Sequence, residues 1–449
     1  MAMPVRPGLP AAKRRQHVVG DFVVDPHGER PRKGWRGLDP ASAVAVTACV
    51  SFYLWRNVIL AAAHLRGGAS DFTNYYLAAR AVLAGRSPFS VPNFDYPALM
   101  AFLVMPLAGL SEPAARVTWF VFGHLCLLAA AGLVWRRLGG GTTALVAIAA
   151  VWAFGGTVAE NLVLGQVNPL LLVLLAGSWA AGWHARPRAA ALIGGAAAVK
   201  LWPIVLLAKE ALLGRWRAVT AGVIAAAALI ALPWAFVAGL LPAPHAPLHA
   251  SYWMGTPAPL NDSIPAVVLR LLEPPARGRP LPDNWVVGND PGRLQLPASH
   301  ALAGIASGTV ALVVGILLIG RCVRRQAPGR DDEPVVSAAL VALALASAPI
   351  AWYHYQLLNF PGIAILVVRW MGRRRFAALA LLACMVVAGT WASSFLLAPY
   401  VARYGWTAAN PAWLWFATSV TLVADLALFA ALLRELGAWA PAHGTVSRD

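Results

Sequence analysis

Along almost the whole chain, uncharged apolar runs alternate with short polar breaks, the pattern of membrane helices rather than of half-buried soluble ones. A helix needs about 20 consecutive apolar residues to cross the hydrocarbon core. Runs of that order predict spans over 41–63, 114–135, 142–158, 170–183, 189–208, 218–241, 301–320, 335–350, 356–370, 376–399 and 411–433, with a shorter piece at 98–110. Allowing for short and broken helices, the pattern predicts about eleven to thirteen membrane helices in an all-α polytopic protein. The chain then divides into an N-terminal arm over 1–40, a membrane domain over 41–433 and a tail over 434–449. The main polar connections are a first loop over 63–97 and a long one over 242–299, and no internal repeat stands out.

Composition agrees. Charged residues make up 12% of the 449 and mean hydropathy is +0.63, where soluble domains are about a quarter charged. The formal charge of +17 would point to nucleic acid in a soluble domain. Here the arginines sit in clusters between apolar runs, at 14–15, 136–137, 215–217, 321–325 and 373–375. Cytoplasmic loops gather Lys and Arg in this way, so the basicity is a topology signal and no nucleic-acid partner is expected.

The basic arm reads as disordered and cytoplasmic, with no cleavable leader ahead of the first span. The loops at 63–97, 242–299, 352–355 and 400–410 then face outside, and the tail faces inside. Between 98 and 208, full crossings would leave Arg136-Arg137 and Arg186-Pro-Arg188 outside. A re-entrant 98–110 and a hairpin of two half-helices around Lys200 bring both clusters back inside, and we prefer that arrangement.

Cys49, Cys126, Cys322 and Cys384 lie singly in or beside apolar runs, without metal-ligand spacing, and read as packed residues. His245 and His249 have the spacing of a helical zinc pair, but Pro244 and Pro247 argue against a helix there. No metal or cofactor is expected.

A few polar groups need a reason. Asp71, Asn74 and Tyr75 share one helical face at the start of Ser70–Pro97, which also holds Asp95 and Tyr96. The plainer reading is that Ser70 or Asp71 caps a surface helix. Lys200 interrupts an apolar run three residues before Pro203, at a cost of about 3 kcal/mol near a helix centre. It either snorkels to the interface or meets an anionic headgroup such as a lipid phosphate. Gly165-Gln166-Val-Asn168-Pro169 is a polar break that would also serve as an ordinary turn, with Glu160 nearby. Asn261-Asp262-Ser263 precedes apolar residues that suit a short interfacial helix, on which Asp262 and Arg270 would be surface charges. Trp352-Tyr353-His354-Tyr355 stands between two spans. Such residues form interfacial belts, and tryptophans also stack on sugar faces.

Taken in order, these pieces resemble glycosyltransferase family 87, the polyprenol-phosphate-mannose-dependent mannosyltransferases of actinobacterial cell envelopes. The resemblance runs through Asp71-Phe-x-x-Tyr75-Tyr76 with Gly85, Tyr96-Pro97, Gly165-Gln166-x-Asn168, Lys200-x-x-Pro203, Asn261-x-Ser263 with Arg270, and Trp352-x-His354-Tyr355. The chain departs from the family pattern at Ala98, often a second proline there, and at Asp262, often Gln.

The resemblance implies a GT-C fold with its active site on the outer face of the cell membrane. The implied donor is a polyprenyl-phosphate sugar, typically mannose, and the acceptor a cell-envelope glycolipid or lipoglycan. Asp71 is then the catalytic base, with Asp95 in reserve, and the reaction inverts the anomeric centre. Lys200, Arg270 and His354 would bind the donor phosphate. Asn74, Tyr75, Asp95, Tyr96, Gln166, Asn168, Asn261, Ser263, Trp352 and Tyr355 would line the substrate site. The rival readings are a flippase or transporter of a lipid-linked sugar, an arabinofuranosyltransferase, and a structural envelope subunit.

Overall fold

The structure, a computed structural model, describes residues 38–65, 70–92, 94–181, 186–236, 255–287, 296–326, 332–405 and 407–437. The chain divides into two units, 1–39 and 40–449. Only Leu38 and Asp39 of the first are described, so the expected N-terminal arm lies outside the described residues, as do His245, His249 and most of the tail.

In chain order the helices of the second unit begin with α1 (Pro40–His64), α2 (Asp71–Leu83), α3 (Leu99–Val104), α4 (Glu112–Arg137), α5 (Thr142–Phe154) and α6 (Thr157–Val163). Then come α7 (Asn168–Ala180), α8 (Arg186–Val199), α9 (Ala208–Leu212), α10 (Trp216–Phe236), α11 (Ile264–Leu272) and α12 (Asp283–Val287). The last six are α13 (Ala298–Gln326), α14 (Glu333–Ser347), α15 (Phe360–Gly372), α16 (Phe376–Ala392), α17 (Ala398–Tyr404) and α18 (Pro411–Gly437). Among the described residues there is no strand, only two isolated bridges, Asn261–Trp352 and Pro280–Thr407.

Among the described residues five helices, α1, α4, α10, α13 and α18, are each long and apolar enough to cross a membrane. Two bent pairs, α5–α6 at 60° and α16 with Phe395–Tyr404 at 64°, raise the number to seven if each is one span. Apart from 98–110 and the hairpin around Lys200, the sequence pattern counted the apolar runs as crossings. Several of those runs are shorter helices inside the bundle. In α14 every residue from Pro334 to Ser347 is buried, and a helix surrounded by protein is apolar all round for that reason alone. Packing is close where α8 meets α10: a Cβ on Gly194 would lie 2.2 Å from the Gly222 carbonyl oxygen. Small residues let two backbones approach that closely. Of the cysteines, Cys49 and Cys126 are buried, whereas Cys384 is exposed on α16 rather than packed.

Charge is sorted between the two ends of the bundle. Arg137, Arg186, Lys209, Glu210 and Glu333 line one small cleft. Arg215 pairs with Glu333 at 2.5 Å, Arg369 with Asp332 at 3.1 Å, and Arg373 with Glu435 at 2.7 Å. The clusters at 136–137 and 186–188 therefore lie at the same end as those at 215–217 and 373–375. The hairpin explains how. The chain rises through α8 to Lys200 and returns through a 3-10 turn (Trp202–Leu207) and α9 to Arg215. The piece at 98–110 is likewise too short to cross, since its helical part, α3 with Met105–Leu107, rises only ~1.5–2 Å per residue. Its far end returns to α2, where the Tyr76 hydroxyl donates to the Leu110 carbonyl at 2.8 Å. The tail expected from 434 is instead helical as far as Gly437.

Candidate active site

At the other end of the bundle a cavity of about 890 Å³ opens between the hairpin bend, α2, α13, α14 and the segment after α14. Its construction starts at Gly165, which adopts φ +66° just past α6. Gln166 N–H donates to the Asn161 carbonyl at 2.8 Å and Gly165 N–H to that of Leu162 at 3.2 Å, the paired bonds of a left-handed helix stop. A side chain here would be strained twice, because a Cβ would also lie 2.5 Å from the Phe72 Cβ. Against this turn α2 begins: Phe72 N–H donates to the Leu164 carbonyl at 3.2 Å, and Trp119 Nε1 to the Gly165 carbonyl at 2.8 Å.

That docking sets Asp71 against Gln166, whose Nε2 donates to the Asp71 Oδ2. Ser70 occupies the N-cap position, but its side chain caps nothing and lies 3.3 Å from the Thr73 hydroxyl. Asp71 instead faces the cavity. The capping reading therefore does not describe this helix start. Thr73 donates to Glu112 at 2.9 Å and Arg116 holds both, at 3.0 and 2.7 Å, pinning α2 to the head of α4.

Asp71, Asn74, Asp95, Tyr96, Gln166, Lys200, Trp352, His354 and Tyr355 all line the cavity. The Lys200 Nζ stands 3.6 Å over the Tyr355 ring and 5.5 Å from that of Tyr96, a cation–π arrangement that compensates part of its desolvation. It does not snorkel. The ring of His354 lies edge-on to Tyr355 at 4.9 Å. Neither of its ring nitrogens has a hydrogen-bond partner among the described residues, though the side chain is buried. Most of the remaining lining is apolar, much of it from the hairpin, α13 and α14, including Ile204, Val205, Ile305, Leu312 and Ala344.

Electrostatics follow from this burial. Burial pushes the Asp71 carboxyl above the ordinary carboxylate range, with the Lys200 ammonium pulling the other way. Lys200, in the bend and outside the crossing helices, is lowered by burial to about 7, with Asp71 opposing. Burial, and then Lys200, holds His354 well below the usual imidazole range. It therefore meets an anion as a neutral N–H donor rather than as a cation.

Five expected site residues stand behind the wall instead of on it. Tyr75 is fully buried and buttresses Tyr96 edge-on at 4.8 Å. Asn168 is fully buried and its Oδ1 accepts from Lys200 at 3.5 Å. Asn261 donates to the Thr256 and Pro349 carbonyls at 2.9 and 3.0 Å and accepts from Ala351 N–H at 2.8 Å. Ser263 caps α11, accepting from Ala266 N–H at 3.2 Å.

Arg270 donates to the carbonyls of Ala258, Asn261 and Thr418 at 3.0, 3.0 and 2.9 Å and is 0% exposed. It is no surface charge, and its guanidinium is engaged too deeply to reach a phosphate in the cavity. Asp262, the other charge of that segment, is buried too. Together this loop fastens the strip 349–353 that presents Trp352. Arg270→Met should cost roughly 2–4 kcal/mol of stability through three orphaned carbonyls. Thermal unfolding in detergent reads that loss, and donor KM should stay within about threefold.

Two buried groups carry roles that the sequence reading missed. Asp425 in α18 accepts from Gln356 and Asn359 at 2.6 and 2.8 Å, anchoring the 3-10 turn Tyr353–Asn359 that carries His354. As a lone acid in an apolar run it was legible as a residue needing a partner. Asn161 gave no such signal.

Among the described residues no cluster of His, Cys, Asp or Glu is arranged to hold a metal ion. No curated protein matches the chain. Residues 94–346, more than half of the chain, match the model of glycosyltransferase family 87. Asp71 and the Trp352–Tyr355 strip flank the matched segment, and it is the fold that brings them to Lys200 within it. A multi-pass bundle of apolar helices, a cavity lined by the half-buried Asp71 and Lys200, and that match lead to one assignment: the chain belongs to glycosyltransferase family 87.

Proposed function

We propose that this membrane glycosyltransferase is a hexosyltransferase moving a mannosyl residue from a polyprenyl-phosphate sugar to a hydroxyl of a cell-envelope glycolipid or lipoglycan. The observation that carries this reading is the cavity itself. One wall holds Asp71, with Lys200 and His354 beside it, and the remaining lining is apolar enough to take an isoprenoid chain. A nucleotide sugar would need polar groups for its base and ribose. The hairpin, α13 and α14 offer mainly alkyl and aromatic side chains there.

In the proposed reaction the acceptor hydroxyl attacks the anomeric carbon as its proton passes to Asp71. The bond between that carbon and the phosphate oxygen breaks, and the polyprenyl phosphate leaves with one more negative charge than the donor carried. Lys200 and the His354 N–H meet that growing charge. Asn74, Asp95, Gln166 and Trp352 surround the sugar and the acceptor, with the tryptophan available to stack on a sugar face. A single displacement inverts the centre, so a β-linked donor gives an α-mannoside. The basic end of the bundle, by the positive-inside rule, faces the cytoplasm, and the cavity faces the outer side.

The test supplies purified protein with labelled polyprenyl-phosphate mannose, or with a labelled nucleotide sugar, and an envelope lipid extract. Label entering glycolipid from the lipid donor alone, and released by an α-mannosidase, is the expected result. Transfer from the nucleotide sugar alone would overturn the donor assignment.

A further inference from the structure

Lys200 and His354 lie far apart in sequence, yet a line of buried amides joins them. Asn161 Nδ2 donates to the His354 carbonyl at 2.7 Å and to the Thr157 carbonyl at 2.8 Å. A carbonyl only accepts, so both N–H groups of that amide are committed and its Oδ1 is left to accept. Asn168 Nδ2 donates to it at 2.8 Å. That choice in turn presents the Asn168 Oδ1 to the Lys200 Nζ, 3.5 Å away. The orientation of each amide is thus dictated by its neighbour, beginning from two backbone carbonyls. Asn161 and Asn168 are both 0% exposed, and neither lines the cavity. Two buried amides this close to a transfer site, touching no substrate surface, need a reason beyond packing.

We propose that Asn161 is a positioning residue that, through Asn168 and the His354 backbone, holds the Lys200 ammonium and the His354 ring at a fixed separation around the departing phosphate. The inference rests on the reading that these two side chains meet that phosphate. Its consequence is selective. The lipid-phosphate sugar is a monoanion, and the phosphate that leaves is a monoester with a second ionisable oxygen. Correct placement of two donors therefore matters more for the free lipid phosphate than for the donor.

The experiment uses the full-length enzyme in lipid, with Asn161→Leu, Asn168→Leu and Lys200→Met. It measures inhibition by a polyprenyl monophosphate and the KM of the matching lipid-phosphate sugar. For Asn161→Leu we expect inhibition weakened about tenfold or more, with KM changed less than about threefold. An inhibition constant and a KM do not depend on how much of the preparation is active, so a loss of folded protein alone moves neither. Should Asn161→Leu fail to fold, Asn168→Leu breaks the same line one step nearer Lys200, by removing the Oδ1 that accepts from its Nζ, and carries the same expectation. Lys200→Met separates the two levels of the claim. If it weakens inhibition while the asparagine variants do not, the amide line is structural only and the proposal falls. If Lys200→Met also leaves inhibition unchanged, the phosphate does not sit at Lys200 and the underlying reading fails with it.

Discussion

Asp71→Asn should lower the rate of sugar transfer by about 10²–10⁴-fold, with donor KM within about threefold of the native enzyme. The substitution is nearly isosteric. The side-chain oxygen that accepts from Gln166 is retained, so the docking of α2 on the Gly165 turn has no cause to change. What is lost is a group able to take a proton from the acceptor hydroxyl. Initial rates in proteoliposomes, with folded protein matched by size-exclusion profile, read the effect. A rate within about threefold of native would remove Asp71 from the chemistry. It would move the role to Asp95, which shares the cavity wall.

Lys200→Met is the second large effect, expected at about 10²–10³-fold in kcat. Methionine keeps the unbranched shape and most of the length of the side chain, and removes the ammonium that stands over the Tyr355 ring. The effect should be larger on kcat than on KM, because the phosphate gains charge only as the bond to carbon breaks.

The pH profile of kcat/KM gives an independent sign. Asp71 works ionised, so activity falls as pH drops through its pKa, which burial has raised. Lys200 works protonated, so activity also falls as pH rises through its own, near 7. The native profile is therefore a narrow bell, its acid limb above the ordinary carboxylate range of about 4. In Lys200→Met the alkaline limb disappears. The acid limb moves up, since the ammonium that favoured the Asp71 carboxylate is gone. An acid limb that moves down, or an alkaline limb that persists unchanged, would contradict the coupling of these two groups.

Period and composition were enough for an all-helical membrane protein, because lipid demands long apolar runs and leaves little ambiguity. They were not enough to separate a lipid-facing helix from α14, whose apolar surface is turned entirely to protein. The charge rule, applied to Arg136-Arg137 and Arg186-Arg188, selected the hairpin around Lys200 that the structure contains. Asp71, Lys200 and His354 were legible because an ionisable group in an apolar chain must have a reason to be there. Arg270 and Asn261 were misread for the same reason. Both are buried polar groups, but their partners are backbone carbonyls, and no sequence pattern marks which carbonyls a fold leaves unpaired. Asn161 went unseen because a single asparagine within a short helix looks like any other until His354 is folded against it.

The central claim is that a lipid-phosphate sugar lies in this cavity with its phosphate at Lys200 and its anomeric carbon at Asp71. The most direct measurement is a structure of the full-length protein in lipid with a non-transferable phosphonate analogue of the donor. The account predicts the phosphonate oxygens within hydrogen-bond distance of the Lys200 Nζ and a His354 ring nitrogen. The Asp71 carboxylate should lie on the opposite side of the anomeric carbon, and the isoprenoid along Ile204, Ile305 and Leu312. An analogue bound with its phosphonate away from Lys200, or outside the cavity altogether, would contradict it.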